Sequence, residues 1–362
     1  MSAVKISSAV KISPVPLAQA PEVTEFLTGL DLGTLRQDEI SAFRGRNDTW
    51  AGVTSAGIPV FVKRVGGEPS TVRPRVDRIK AMGELLDTHP VIHAPQLLGG
   101  DVESGLVAFA LLEHAQSGAD LGGDGFTWEL AHSAGFQVGT LHTLPAPRAV
   151  AEDTSEPPLP PLKALVALPL EAYAVASGAE LEAWAILHND PVVVEAIGRL
   201  AAWERDSTHV LVHGDLRLDQ FLYHHDTLHL VDWEEARRAD AARDVGAFVG
   251  EWLYRGVLGM AGHEETAGER EVVANGARRF ETLRPNIEAF WSGYLAARPA
   301  ARADRELAAR AAAFAGWHMF DRLLAAGYER ARLTPLERAA AGVGRKVLIS
   351  PADFTATLGL GG

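Results

Sequence analysis

The chain has 362 residues, with 47 Asp and Glu against 34 Lys and Arg, a formal net charge of −13 and no cysteine. This length accommodates two lobes around a cleft, and the lack of cysteine excludes a disulfide framework and a thiolate metal site. The acidic balance argues against binding of nucleic acid, whose phosphates require an excess of Lys and Arg. It would suit a cationic partner or simply aid solubility. No apolar stretch reaches membrane-spanning length and the first residues hold no long hydrophobic segment, so we expect a cytoplasmic protein without a membrane partner.

Residues 1–35 are predicted to form a mobile N-terminal extension. Within it the pentapeptide AVKIS occurs twice, at residues 3–7 and 9–13. The repeat is compatible with an extra strand, a partner-binding tag or a scar of cloning. A small lobe is expected to follow over residues 36–113.

A pair of strands is predicted in the segment FRGRNDTWAGVTSAGIPVFVKRV, residues 43–65, with a turn at Ser55–Gly57. Lys63 lies within the apolar alternation of the second strand, a position where an isolated lysine is most often a solvated charge. The loop before the first strand carries Gly45 and Asn47, and such a Gly-x-Asn turn occurs in many loops.

A helix is predicted over the segment VDRIKAMGELL, residues 76–86. Its apolar stripe consists of Val76, Ile79, Met82 and Leu86. Asp77 and Glu84 point away from that stripe. The helix is therefore amphipathic, with both carboxylates off its buried face.

The run GLVAFALLEH at residues 105–114 predicts a buried strand. The chain after it is predicted to be largely helical, and the segment FQVGTLHTLPAP predicts a helix that ends at Leu141 and His142. The stretch DTSEPPLPPL at 153–162 is proline-rich and extended. Ala- and Leu-rich helices then lead to about residue 205, and helical spacing returns after residue 244.

Three carboxylates between residues 209 and 248 determine the functional interpretation. Asp215 follows a His-Gly pair at the end of an apolar run, the pattern QFLY-HHDT-LHLV predicts a hairpin leading to Asp232, and Asp244 lies beyond it. In phosphoryl transfer a protein mainly positions the phosphoryl group, neutralises it with magnesium and orients the attacking oxygen, and carboxylates do the last two. Taken alone, His-Gly-Asp is an ordinary turn and Asp244 an ordinary helix N-cap.

These motifs resemble those of the aminoglycoside phosphotransferase and choline kinase superfamily, which carries HGD in its catalytic loop and I-D-W-E where protein kinases have D-F-G. Here the chain reads HGDL at 213–216, Gln220, and VDW at 231–233. The strand with Lys63 and the Leu-His pair match further family segments in the same order. The resemblance implies an α+β, bilobal protein-kinase-like fold, with a small antiparallel-sheet N-lobe and a large, mainly helical C-lobe over residues 114–362.

The resemblance implies ATP as a cofactor, with GTP as an open alternative, together with Mg²⁺. Lys63 is then expected at the inner phosphates, and the loop with Gly45 and Asn47 is expected to meet phosphate oxygens through backbone N–H groups. The adenine is expected against the hinge residues Glu113, His114 and Ala115. The carboxylate that pairs with Lys63 is expected on the next helix, with Glu84 as the first choice and Asp77 as the second.

The same resemblance indicates which residues bind the metal ion and which act on the acceptor hydroxyl. Asp232 and Gln220 are expected to bind magnesium, and Gln220 departs from the family's asparagine by offering the same amide oxygen on a longer stem, which leaves full activity open. Asp215 is expected to accept the proton of the acceptor hydroxyl. His213 is expected to brace the catalytic loop and Asp244 to hold it in place.

The sequence therefore predicts an ATP-dependent phosphotransferase, a kinase that moves the γ-phosphate to a hydroxyl. The acceptor stays open between a small molecule, such as an aminoglycoside or another amino alcohol, and Ser or Thr of a natural-product precursor peptide. The alternative is a catalytically silent, kinase-like module that binds a nucleotide or a peptide and acts with a partner protein. A purely structural helical protein would leave the ordered carboxylates unexplained.

Overall fold

The computed structural model describes residues 11–12, 15–36, 40–43, 47–122, 124–155, 157, 160–259, 269–327 and 330–361. The strands, in chain order, are β1 (Lys11–Ile12), β2 (Ala42–Phe43), β3 (Asp48–Val53), β4 (Pro59–Arg64), β5 (Leu97–Asp101), β6 (Leu106–Ala110), β7 (Gln116–Ser117), β8 (His209–Val212), β9 (Phe221–His224), β10 (Thr227–Leu230) and β11 (Arg237–Asp240).

The helices, in chain order, are α1 (Pro21–Gly29), α2 (Pro69–Asp87), α3 (Gly118–Leu121), α4 (Trp128–Leu141), α5 (Arg148–Ala151), α6 (Leu162–Val166), α7 (Leu170–Val175), α8 (Gly178–His188), α9 (Pro191–Asp206), α10 (Ala242–Leu258), α11 (Glu269–Ala297), α12 (Leu307–Gly327), α13 (Pro335–Ile349) and α14 (Pro351–Phe354). Over the ranges given above the protein is thus mixed α+β, with a small antiparallel sheet and a mostly helical remainder. This confirms the predicted fold class. In the same ranges no helix is both long and apolar enough to cross a membrane.

The chain divides into two compact units that are not continuous in sequence. The first consists of Met1–Phe126, Pro145–Asp153 and Leu218–Arg238, and the second consists of Thr127–Leu144, Thr154–Arg217 and Ala239–Gly362. This division differs from the expected single boundary at residue 113. The segment with β9 and β10 belongs to the first unit, together with the sheet that carries Lys63.

The first unit contains an antiparallel sheet of strand order β3-β4-β6-β5. On one face Val62 of β4 packs in a core cluster with Trp50. Lys63 is paired with Val107 of β6, and Val107 packs with Ile79 of α2. Because side chains alternate along a strand, Lys63 faces the side of the sheet that carries α2.

Helix α1 departs from the expectation that residues 1–35 are mobile. Its apolar residues Ala20, Val23 and Leu27 are 0% exposed and belong to the core cluster of the sheet. Their spacing of three and four residues places them on one helical face. In addition, the Trp50 indole donates a hydrogen bond to the Val15 carbonyl (2.8 Å). Residues 15–29 are therefore part of the folded unit.

The second AVKIS copy contributes a short strand. Lys11 and Ile12 form β1, which pairs with β2 in antiparallel register. Of the alternatives left open by the sequence, an extra strand is thus the one seen for this copy. The first copy lies outside the described residues.

The predicted hairpin before Asp232 is confirmed. Strands β9 and β10 pair from Phe221–Leu230 to His224–Thr227. The two connecting residues, His225 and Asp226, have φ of 45° and 59°. Two consecutive residues with positive φ are typical of a type I′ turn, whose twist matches that of a hairpin.

The second unit has a helical core. Helices α10 and α11 meet through Phe248 and Phe290, whose rings stack with centroids 3.9 Å apart. Helix α4 approaches α11 closely at Gly135, where a Cβ would lie 1.9 Å from the Phe290 carbonyl oxygen. Only glycine permits that separation of the two backbones, so this crossing is set by residue size.

Candidate functional site

Lys63 is the centre of an ion cluster in the first unit. The residue is 8% exposed, and its Nζ lies 2.5 Å from Asp232 Oδ1 and 3.0 Å from Glu234 Oε2. Burial lowers the pKa of Lys63, but the charges and hydrogen bonds of the two carboxylates outweigh it and raise the pKa above its ordinary value. Lys63 is therefore a buried ammonium held by two carboxylates and not a solvated charge.

The backbone at Asp232 explains how both carboxylates reach one ammonium. Asp232 has φ 70° and ψ 59°, the left-handed conformation that Asp adopts more readily than most residues. A 3-10 turn over Trp233–Glu235 follows at once and returns Glu234 to the lysine. Non-glycine residues in this conformation concentrate at functional sites. The Asp232 side chain keeps 28% exposure, so it is the more accessible of the two acids.

The predicted partner of Lys63 on helix α2, Glu84, is not its partner in this structure. Glu84 is exposed, and the ion pairs of Lys63 go to Asp232 and Glu234. Helix α2 instead presents cations to this segment. Arg75 Nη2 lies 3.1 Å from Glu235 Oε1, and Arg78 Nε donates to the Glu234 carbonyl (2.8 Å).

The reason for this arrangement is the local charge. Residues 232–235 supply three carboxylates, two of them almost fully buried, since Glu234 and Glu235 are each 4% exposed. Buried charges require partners, and a further carboxylate from α2 would add repulsion. Guanidinium groups at that position satisfy the second buried acid. Asp77, the second choice, is half-buried and has no ion pair to Lys63.

Asn47 uses its side chain within the first unit. Its Oδ1 accepts a hydrogen bond from the Gly66 N–H (2.8 Å), and its Nδ2 donates to Glu234 Oε2 (3.4 Å). The loop before β3 is therefore tied to the acid that also holds Lys63. Gly45, the other predicted residue of this loop, lies outside the described residues.

Gln220 and Asp232 lie at the two ends of the hairpin. Gln220 is 5% exposed and ends a 3-10 turn over Leu218–Gln220. Its carbonyl accepts a hydrogen bond from the N–H of Val231 (2.9 Å), the residue before Asp232. The backbone pairing thus brings together the two predicted metal ligands. Whether both bind a metal stays a prediction.

The predicted adenine hinge is a tight turn between β6 and β7. His114 has φ 61°, and the Glu113 carbonyl accepts a hydrogen bond from the His224 ring. Ala115 is 2% exposed and its N–H donates to the Leu112 carbonyl (3.2 Å). The Ala115 N–H is thus already engaged, so a base bound here would use other backbone groups of the turn.

Asp215 lies in the second unit, in the loop after β8. The preceding Gly214 has φ 87°, a conformation that favours glycine. The Asp215 carboxylate keeps 29% exposure and lies 3.7 Å from Arg217 Nη2. The loop therefore presents an accessible carboxylate beside a guanidinium group.

Asp244 holds the backbone of this loop. It is 0% exposed, and it accepts hydrogen bonds from the His213 N–H (2.7 Å), the Gly214 N–H (3.0 Å) and His142 Nε2 (3.1 Å). Burial raises the pKa of Asp244, but the hydrogen bonds from the His142 side chain and the His213 N–H lower it below its ordinary value. The N-cap of α10 is Ala241, so Asp244 is a loop anchor and not a cap.

Sequence reasoning left out three residues of the first-unit cluster and the role of His142. Glu234 is the glutamate of the W-E pair directly after Asp232, which the quoted I-D-W-E pattern contains. Arg75 and Arg78 lie three residues apart on α2, a spacing that places them on one helical face. That spacing was a usable signal. His142 was noted only as part of a Leu-His pair.

The model of the phosphotransferase enzyme family, abbreviated APH, matches residues 39–280. A search of curated proteins finds no match. Among solved structures, amicoumacin kinase hAmiN in complex with AMP-PNP, Ca²⁺ and Ami is similar, with 15% identity, a TM-score of 0.52, and coverage of 92% of this chain and 96% of that one. Choline kinase LicA from Streptococcus pneumoniae is similar with 14% identity, a TM-score of 0.50, and coverage of 91% and 99%. At these identities the likeness concerns the fold alone.

Proposed function

The chain belongs to the phosphotransferase enzyme family, and on this premise we propose that it is an ATP-dependent kinase that transfers the γ-phosphate to a hydroxyl of a small molecule. The observation that carries the proposal is the buried Lys63 between Asp232 and Glu234. A buried ammonium beside a partly exposed carboxylate is what binding of a nucleotide and its cation requires. The proposed location is the cytoplasm, where ATP is available.

Lys63 is the proposed phosphate-binding cation. Its ammonium has three donors and no acceptor, and two carboxylates hold it at 2.5 and 3.0 Å. Phosphate oxygens of a nucleotide would compete with the more exposed Asp232, while the buried Glu234 would keep the lysine oriented. Asn47 would support this by keeping its hydrogen bond to Glu234.

Asp232 and Gln220 are the proposed Mg²⁺ ligands. Magnesium prefers oxygen donors and is usually bound through one or two carboxylates together with substrate phosphates. Asp232 supplies a partly exposed carboxylate and Gln220 an amide oxygen. No group of three or more His, Cys, Asp or Glu side chains placed for a metal occurs among the described residues, which fits a cation bound jointly with phosphate. Bound there, Mg²⁺ would neutralise phosphate charge.

Asp215 is the proposed residue that orients the acceptor. Its carboxylate is accessible, and the two residues before it are fixed by Asp244. In phosphoryl transfer alignment of the attacking oxygen matters more than its deprotonation. Asp215 would accept a hydrogen bond from the acceptor hydroxyl and take the proton late.

An amino alcohol is the proposed acceptor class, with Ser or Thr of a precursor peptide as the second class. The net charge of −13 suits a cationic acceptor, and one similar structure is named a choline kinase. The test is ADP release from Mg²⁺-ATP against a panel of amino alcohols, sugars and Ser-containing peptides, with mass spectrometry of the product.

Asp215→Asn should abolish turnover while ATP binding, measured by calorimetry, stays nearly intact. Asp219→Asn is the matched control, because it makes the same charge change at an exposed position of the same segment, and it should retain wild-type turnover. Normal turnover of Asp215→Asn would remove Asp215 from the mechanism.

A catalytically silent nucleotide- or peptide-binding module that acts with a partner protein is the second candidate. The observation in its favour is Gln220 at the position of the family's metal-binding asparagine. Calorimetric binding of Mg²⁺-ATP without turnover of any member of the panel would support this module. ADP release with a phosphorylated product would exclude it.

A further inference from the structure

A row of four polar side chains runs through the second unit and ends at the loop of Asp215. Arg298 Nη1 donates to Tyr294 Oη (2.7 Å), Tyr294 Oη lies 3.0 Å from His142 Nδ1, and His142 Nε2 lies 3.1 Å from Asp244 Oδ2. Tyr294 and Asp244 are 0% exposed and His142 is 3% exposed. We call Arg298, Tyr294, His142 and Asp244 the polar row.

With His142 as a neutral imidazole, the donors and acceptors of the polar row admit one direction. An ionised Asp244 only accepts, so His142 Nε2 carries a hydrogen and donates. In a neutral imidazole Nδ1 is then the acceptor, and its hydrogen comes from the Tyr294 hydroxyl. Arg298 cannot accept, so its contact with Tyr294 uses the lone pair of the hydroxyl and leaves the O–H directed at His142.

Tyr294 stays a donor over the whole physiological range. Burial raises the pKa of Tyr294 to about 12, although Arg298 acts in the opposite sense. The carboxylates that face it, Asp244 and Asp240, also favour the protonated phenol. The hydroxyl hydrogen that Tyr294 directs at His142 Nδ1 is therefore retained.

Close packing of α4 on α11 places Tyr294 within reach of His142. At Gly139 a Cβ would lie 2.6 Å from the Tyr294 carbonyl oxygen, and at Gly293 a Cβ would lie 2.1 Å from the His132 carbonyl oxygen. Both glycines allow the two backbones to approach. The Tyr294 ring then meets the His142 ring edge to face, with centroids 5.4 Å apart.

We propose that Tyr294 and Arg298 are positioning residues of the catalytic loop, which act by fixing the orientation of the His142 ring, so that its Nε2 stays on Asp244 and Asp244 keeps the backbone of His213 and Gly214 in place. The proposal rests on the proposed kinase function, since it assigns these residues to that reaction. Tyr294 is 0% exposed, so it acts through His142. Without the hydrogen bond from Tyr294 the His142 ring would lose its fixed orientation, and the hydrogen bond from Nε2 to Asp244 would weaken.

The test compares Tyr294→Phe with wild type in three measurements. Turnover and the KM for ATP are determined with the best acceptor of the panel. Hydrogen exchange is followed by mass spectrometry in a peptide covering residues 211–218. The hydrogen bond at His142 Nδ1 is read from the ¹⁵N shift of that nitrogen in histidine-labelled protein, with His142→Gln used to assign the resonance. Tyr223→Phe is the matched control, because it removes a tyrosine hydroxyl that donates to Asp226 (2.8 Å) on the exposed hairpin.

The expected result for Tyr294→Phe is a kcat lower by roughly tenfold, which corresponds to the free energy of one hydrogen bond, with an unchanged KM for ATP. Exchange at residues 211–218 should rise, and the ¹⁵N shift of His142 Nδ1 should change because that nitrogen loses its hydrogen-bond donor. Tyr223→Phe should match wild type in all three measurements. A Tyr294→Phe protein with wild-type kcat, exchange and Nδ1 shift would overturn the proposal.

Arg298 provides a second pair of variants if Tyr294→Phe fails to fold. Arg298→Lys keeps a cationic donor and should retain most of kcat, whereas Arg298→Met should behave like Tyr294→Phe. Equal activity of the two Arg298 variants would overturn the role of Arg298. Exchange and the Nδ1 shift do not depend on turnover, so they decide the positioning role even where no acceptor is phosphorylated and the kinase proposal itself fails.

Discussion

Replacing Lys63 by methionine should destabilise the first unit by an amount that follows from the geometry of its ion cluster. The change keeps most of the apolar stem and removes only the ammonium. Glu234, whose side chain is 5% exposed, would lose its ion-pair partner, whereas the 28% exposed Asp232 could remain hydrated. Breaking a buried ion pair costs about 3–5 kcal/mol. Because Asn47 still donates to Glu234, we expect about 3 kcal/mol, the lower end of that range.

The measurement is urea-induced unfolding of wild type, Lys63→Met, Glu234→Gln and the double variant. A neutral glutamine needs no counter-charge, so the double variant should recover at least half of the loss caused by Lys63→Met. Lys163→Met, at an exposed position, is the control and should change stability by less than about 0.5 kcal/mol. A Lys63→Met loss below about 1 kcal/mol, or a double variant that shows the full sum of both losses, would refute the reasoning.

The pH dependence of this effect has a defined sign. The folded-state pKa of Lys63 is raised above its ordinary value of 10.5, so its contribution to stability is fully present below that value and is lost as pH rises through the folded-state pKa. The stability difference between wild type and Lys63→Met should therefore be constant from neutral pH to about pH 10. It should shrink only above that range.

Two further predictions concern single side chains. Burial raises the pKa of Glu251, but His318 at 2.8 Å outweighs burial and lowers the pKa from 4.5 to about 2. The ionised Glu251 therefore contributes roughly 3 kcal/mol to the stability of the folded state. This contribution is present above the ordinary carboxyl pKa and is lost as pH falls through the folded-state value. Glu251→Gln should flatten the stability curve between about pH 5 and pH 2, and an unchanged acid limb in urea titrations would contradict this. Gln220→Asn restores the shorter amide, so the Mg²⁺ concentration for half-maximal turnover should fall several-fold; an equal or higher concentration would argue against Gln220 as a metal ligand.

Local patterns made part of this fold predictable. The alternation in β4 placed Lys63 inside a strand, and the polar pair between QFLY and LHLV marked the hairpin, because strand alternation and turn conformation depend on neighbouring residues. The spacing of Ala20, Val23 and Leu27 carried the same kind of signal for α1. Because α1 is short and follows the AVKIS repeat, this spacing was not recognised as a helix, and residues 15–29 were predicted to belong to a mobile extension.

The partner of Lys63 could not be read from helical periodicity. Periodicity indicates which face of α2 is buried, but the partner depends on the positive φ of Asp232, which folds Glu234 back to the lysine. That conformation is a property of the turn after β10 and has no counterpart in the pattern of apolar residues. The resemblance to kinases directed attention to a helix carboxylate, Glu84, while the local excess of negative charge at residues 232–235 required cations from the helix.

Asp232 and Asp244 are held in opposite ways, and we expect substitutions near the two acids to affect different steps, nucleotide binding and turnover. In the first unit Asp232 shares one ammonium with Glu234 and keeps 28% exposure, so under the proposed function an anionic ligand would compete with Asp232 for Lys63. In the second unit Asp244 is fully buried and accepts three N–H donors, so it has no exposed surface for a ligand. Substitutions around Lys63 should therefore alter nucleotide affinity and stability, whereas substitutions along the polar row should lower kcat at constant affinity. A variant of the polar row that weakened ATP binding as much as turnover would show that the loop is held by other contacts.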